Sequence, residues 1–149
     1  MPAPVEVRSP YIRYPKRMRR GNLVRWRHDG SEGLSAMLAA IRHAKTTILM
    51  EFYIFRDDSI GRVFADALTD KARSGVAVHL MVDAWGNLDV DSSFYEEMRA
   101  AGVEVCEYRP LTLWNAFQGP GRRNHRKVLV VDMSVGFIGG LNIASDYGS

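Results

Sequence analysis

Apolar positions alternate along this chain between helical spacing and unbroken β-branched runs. Leu34, Met37, Leu38 and Ile41 recur at three- and four-residue intervals and predict the buried stripe of a first helix. Asp29 is placed to cap it, with Glu32 three residues on to complete a capping box. Thr46 to Phe55 follows as a run apolar on both faces, which predicts a central strand covered by helices. Asp58 or Ser59 then opens a second helix that buries Ile60, Val63, Phe64, Ala67 and Leu68 and stops at Gly75. Val76 to Asp83 reads as the next strand. Asp91 or Ser92 caps a third helix carrying Phe94, Tyr95 and Met98 and ending at Gly102, and Val103 to Tyr108 reads as a further strand. Strand, helix and strand in this order predict right-handed parallel crossovers. A short strand is also expected over Asn22 to Arg27. The later run from His125 to Asp132 is again apolar and β-branched. A tight turn, Asp132-Met133-Ser134, leads from it into a short strand, Val135 to Ile138. The pattern predicts an α/β fold with a mixed, mainly parallel sheet and flanking helices.

The 149 residues suffice for one domain with a real core, and 46% apolar content is that of a globular chain. Residues 1–21 differ from the rest. They hold four prolines and the basic cluster Lys16, Arg17, Arg19 and Arg20, with no helical or strand period. This lead is read as a solvated arm, or as a segment drawn to anionic lipid or nucleic acid, apart from a domain over 22–149. The net charge of +3 is compatible with anionic partners without demanding one. No run approaches the roughly 20 apolar residues of a membrane span. The single cysteine, Cys106, lies within a strand pattern and is expected to be a buried, inert thiol.

Candidate chemistry concentrates late in the chain. His125 and Lys127 are two apart on one expected strand, so an imidazole and an ammonium would emerge on the same face. Gly139 and Gly140 allow close approach of the backbone, and Asn142 adds an amide donor. A nucleophilic or acidic histidine, a lysine charge and an amide around a glycine-lined gap suit an anionic phosphodiester. Asp132 has the opposite strand parity from His125 and is better placed to brace the turn. Glu51 interrupts an apolar strand and must be partnered, either in a structural ion pair or in the polar network of a site. Asp83 closes a strand at the edge where ligands gather in such sheets, which makes it a weaker candidate. His43 and His79 read as surface and sheet residues. The long connection Arg109 to Arg123 carries Trp114 and Phe117, which either pack beneath it or face lipid. At its end Arg122 and Arg123 are available to steer phosphate. No residues have metal-ligand spacing, so no metal or other cofactor is expected.

The H-x-K-x4-D spacing of His125, Lys127 and Asp132, with Gly140 and Asn142 behind it and Arg122-Arg123-Asn124 ahead, resembles the signature of the phospholipase D superfamily. Further stretches similar to the N-terminal half of bacterial cardiolipin synthases are His28-Asp29-Gly30, Ile48 to Phe55, Gly75 to Asp83, Ala101-Gly102-Val103 and Arg122 to Tyr147. The resemblance implies one phospholipase D-like half with His125, Lys127 and Asp132 as its catalytic set. Lys127, Gly140 and Asn142 would hold phosphate, with Glu51, Arg122, Arg123 and Asn124 in support. It also implies a second H-x-K-x4-D motif facing the first. A further half of a longer chain is favoured for that role over an identical partner chain.

Three functions are carried forward. The first is a phosphatidyltransferase that moves a phosphatidyl group between phosphatidylglycerol molecules through a phosphohistidine. It would be associated peripherally with an anionic membrane surface on the cytoplasmic side of a bacterium. The second is a hydrolytic phosphodiesterase acting on phospholipid or, less favoured, nucleic acid. The third is an inactive half-domain that binds such anions.

Overall fold

The computed structural model describes residues 21–110 and 123–148. Three helices and three strands alternate in the first part of the described chain: α1 (Gly30–His43), β1 (Thr47–Phe52), α2 (Ser59–Arg73), β2 (Ala77–Asp83), α3 (Ser92–Ala100) and β3 (Glu104–Tyr108). A hairpin of β4 (Lys127–Val131) and β5 (Val135–Ile138) follows, and a single 3₁₀ turn spans Ser145–Tyr147. The sheet order is β3-β2-β1-β4-β5. β1, β2 and β3 are parallel, β4 runs antiparallel to β1, and β5 antiparallel to β4. The mixed, mainly parallel sheet expected from the sequence is present.

Local chemistry sets the helix starts. Asp29 accepts hydrogen bonds from the Ser31 and Glu32 amides at 2.7 and 3.2 Å. Glu32 pairs with Arg27. Asp58 caps α2 through the Ile60 and Gly61 amides, and its second oxygen accepts from the Ser145 amide at 2.7 Å. One carboxylate thus starts a helix and pins the end of the described chain. Asp91 caps α3. Gly75 and Gly102 both take positive φ, 90° and 97°, at the two helix exits where the sequence predicted stops.

The helices form one layer, with α1 against α2 and β4, α2 against β2 and α3, and α3 against β3. Beneath them Ile48, Met50, Phe52, Val78, Leu80, Val82, Leu129 and Val131 are buried. The alternate residues point to the other face. Leu49, His79, Met81, Cys106, Val128 and Val130 line a shallow cleft there. Several expectations are corrected by this arrangement. β1 is apolar on both faces, but among the described residues helices cover only one, and Leu49 stays 36% exposed. Cys106 is exposed, because β3 is the edge strand and the thiol lies on the uncovered face. Val63 is 40% exposed, since it lies at the margin of the α2 stripe. Asn22 to Arg27 is no strand. Leu23, Val24 and Trp26 are largely exposed, and the sheet begins only at Thr47. The basic cluster of the lead, and Trp114, Phe117 and Arg122, lie outside the described residues.

Candidate active site

The site is assembled by the switch in strand direction. Because β4 runs against β1, with Lys127 opposite Phe52, the start of β4 lies where the parallel strands end. Ligand-binding crevices form beyond that edge in open α/β sheets. His125 precedes β4, which begins at Lys127, so the two do not share a regular strand as expected. They are adjacent nonetheless: the Lys127 ammonium donates to the His125 carbonyl at 3.0 Å.

Both neighbours of His125 are anchored. The Asn124 amide N–H donates to Asp83 at 2.8 Å, and the Asn124 side chain donates to Glu51. The Arg126 guanidinium lies 3.5 Å from Glu51. Of the two readings of Glu51, the geometry favours membership of the network around the site. Asp83 is fully buried. Its carboxylate accepts from the Trp85 and Asn124 amides at 2.9 and 2.8 Å and faces the Arg123 guanidinium at 3.7 Å. A buried carboxylate left without such partners would be costly. Arg123 also covers the Trp85 ring, 5.2 Å from its centroid. The network leaves the His125 side chain exposed, with its ring against Tyr53 at 4.6 Å between centroids.

Lys127 is buried, and that burial lowers its pKa from the ordinary lysine value. Its ammonium lies 5.2 Å from the Tyr53 ring centroid, within cation–π range. Asn142 arrives from the far end of the hairpin. After β5 the chain passes through Gly139 and Gly140 and returns beside the continuation of β1, where Ile143 bridges Phe55. Asn142 is buried there. Its amide oxygen accepts from the Ile54 N–H at 3.2 Å, and its nitrogen donates to the Tyr147 hydroxyl at 2.7 Å. A Cβ added at Gly139 or Gly140 would meet nothing within 4 Å, so these glycines border open space.

A profile described as "Cardiolipin synthase, PLD-like domain" matches residues 37–147. The chain belongs to this phospholipase D-like family.

Its relatives include the cardiolipin synthases of Geobacillus kaustophilus, 41% identical over 80% of this chain, and of Alkalihalophilus pseudofirmus, 40% identical over 80%. The matched region is 24% of the length of each of these relatives, so the chain spans about a quarter of them. The fold is similar to that of NucT from Helicobacter pylori, with a TM-score of 0.62 and 20% identity over 80% of this chain and 72% of that one. It is also similar to the phospholipase D family member Nuc from Salmonella typhimurium, with a TM-score of 0.56 and 23% identity over 78% and 69% of the two chains.

The third residue of the family motif, Asp132, lies at the opposite end of β4 from His125. Asp132 and Met133 have φ of 50° and 53°, and the Ser134 N–H bonds the Val131 carbonyl at 3.0 Å, which makes a type I′ hairpin turn. The carboxylate accepts from the amides of Lys45, Thr46 and Thr47 at 2.9, 2.8 and 3.0 Å and from the Thr46 hydroxyl at 2.9 Å. The Thr47, Thr46 and Lys45 amides hold its pKa well below the usual carboxylate range. Asp132 therefore clamps the start of β1 to the end of β4, the bracing role its strand parity suggested.

A pH dependence follows. With the folded pKa depressed, the stabilisation is complete above the unfolded value of about 4 and is lost as pH falls toward the folded value. Asp132→Asn should therefore lower the urea midpoint at pH 7, and the gap from the wild type should narrow progressively below about pH 4. A gap that stayed constant down to acid pH would show that charge plays no part in the clamp.

Sequence reasoning did not single out Tyr53, Asn87 or Tyr147. Asn87 is buried and ties the ends of β1 and β2 together. Its amide donates to the Tyr53 and Asp83 carbonyls, and its oxygen accepts from the Phe55 N–H at 2.7 Å. The Trp85-Gly86-Asn87 turn was a signal for it. Tyr53 carries none, because the end of an aromatic strand run does not reveal which way its last rings turn. Among the described residues no helix is long and apolar enough to cross a membrane.

Proposed function

We propose that this chain supplies one catalytic half of a phosphatidyltransferase of cardiolipin synthase type. The observation that carries the reading is the exposed His125 imidazole and the buried Lys127 ammonium, both against the Tyr53 ring at the open edge of the sheet. In the first step an imidazole nitrogen of His125 attacks phosphorus of one phosphatidylglycerol. The bond to the glycerol headgroup breaks, and the departing oxygen takes a proton from the acid of a second motif. In the second step the headgroup hydroxyl of another phosphatidylglycerol loses its proton to that group and attacks phosphorus, which frees His125. Two phosphatidylglycerols yield cardiolipin and glycerol. Lys127 offsets charge on a phosphate oxygen. The open space beside Gly140 admits that group. Asn142 keeps the end of β1 and the segment after Gly140 together, and so shapes the edge where phosphate would sit.

A single imidazole cannot act on both sides of phosphorus at once. The second motif comes from another half of the same polypeptide or from an identical chain, and the site works at an anionic membrane surface. The likeness to cardiolipin synthases supports this reading, as does the arrangement of His125 and Lys127. The test is product analysis of the native protein with phosphatidylglycerol vesicles. Cardiolipin and glycerol in equal amounts are expected. Phosphatidic acid alone would overturn transfer in favour of hydrolysis, and binding without turnover would leave only an anion-binding half-domain.

A further inference from the structure

We infer that Tyr53 is a positioning residue of this site, its ring fixing the His125 imidazole and the Lys127 ammonium relative to one another. The inference rests on the proposed role of His125 as nucleophile and goes beyond it, because Tyr53 lies outside the family motif. Four observations carry it. The Tyr53 ring lies 4.6 Å from the His125 ring at a 58° tilt, a separation at which aromatic pairs attract. The same ring has the Lys127 ammonium 5.2 Å from its centroid. The Tyr53 backbone is itself held, since its carbonyl accepts from Asn87 at 2.9 Å. The loop packs onto that carbonyl so closely that a Cβ at Gly86 would come within 2.1 Å of it. Tyr53 is thus a fixed wall on an otherwise exposed imidazole.

The anchors of Asn124 and Arg126 to Asp83 and Glu51 set where the His125 Cα is, and they leave its ring free to choose among rotamers. In-line attack needs one of them, and misplacement by about 1 Å can cost roughly 10²-fold in rate. The ring of Tyr53 selects the rotamer. Its π face also compensates part of the hydration that Lys127 loses on burial, which favours the charged amine that phosphate requires. Both effects belong to the ring and not to the hydroxyl.

The experiment compares Tyr53→Leu with Tyr53→Phe in the native protein, using bis(p-nitrophenyl) phosphate as the phosphodiester probe. Tyr53→Leu should lower kcat by roughly 10- to 100-fold with KM within about threefold. Tyr53→Phe should restore kcat to within about threefold of the wild type. The His125 ring resonances provide a readout independent of turnover. They should move in the Leu variant through loss of the ring current, show averaging between rotamers, and return toward their wild-type positions in the Phe variant. Unchanged His125 resonances and unchanged kcat in a folded Tyr53→Leu would overturn the inference, and so would failure of Phe to rescue. If His125→Ala left activity intact, the reading of the site itself would fail, an outcome distinct from failure of Tyr53 alone.

Discussion

His125→Ala is expected to reduce phosphodiester turnover by roughly 10⁴-fold or more, the scale seen when a covalent nucleophile is removed. The fold should not notice. The side chain is exposed, its ring lies against that of Tyr53, and the hydrogen bond from the Lys127 ammonium is accepted by its backbone carbonyl, which alanine keeps. Exposed substitutions of this kind usually change stability by no more than about 0.5 kcal/mol. Turnover should therefore collapse while the urea midpoint stays in place. Acid quenching during turnover of radiolabelled phosphatidylglycerol adds a direct check. The wild type should retain acid-labile phosphorus on the protein and the variant none. Comparable turnover in the two proteins would exclude His125 as the nucleophile.

Lys127→Met should separate activity from stability in the opposite direction. The ammonium is buried, and desolvation already works against its charge. An apolar side chain of similar length removes that penalty, so stability is expected to hold or to rise by about 1 kcal/mol. Turnover should fall by about 10²- to 10³-fold, the range found when one preorganised group facing developing charge is lost. Lys127→Arg is not expected to rescue. Lys127 is buried against the Tyr53 ring, and a planar guanidinium is bulkier than an ammonium and directs its donors differently. A Met variant that lost stability and kept its rate would mark Lys127 as a purely structural residue.

Much of this was legible in the residues because the signals are local. The caps at Asp29, Asp58 and Asp91, the glycine exits at Gly75 and Gly102, and the hairpin after Val131 follow from short-range backbone chemistry, and each is present. The alternation of strands and helices was enough for the parallel core. The pairing of His125 with Lys127 was also local, two residues apart along one segment.

Burial was harder to read, because it depends on layers that a local pattern does not count. β1 looks central to a three-layer stack, yet among the described residues helices lie on one face, and Cys106 is exposed on the other. The spacing of Asp132 from His125 marks both as motif residues, but along β4 they lie at opposite ends. Only the fold shows the Asp132 carboxylate bound to amides 85 to 87 residues earlier in the chain.

By itself the amino-acid sequence determined most of the elements, the mixed sheet and the family, and it nominated the candidate site residues, since propensity, capping and motif spacing act within a few residues. The tertiary structure decided which groups meet. The antiparallel insertion of β4 beside β1 brings Tyr53 to His125 and brings Glu51 and Asp83 to its neighbour Asn124, and the return of the chain past Gly140 brings Asn142 to Ile54. Those contacts span 41 to 88 residues of chain, a range over which no local preference acts, and only the packing of the sheet sets them.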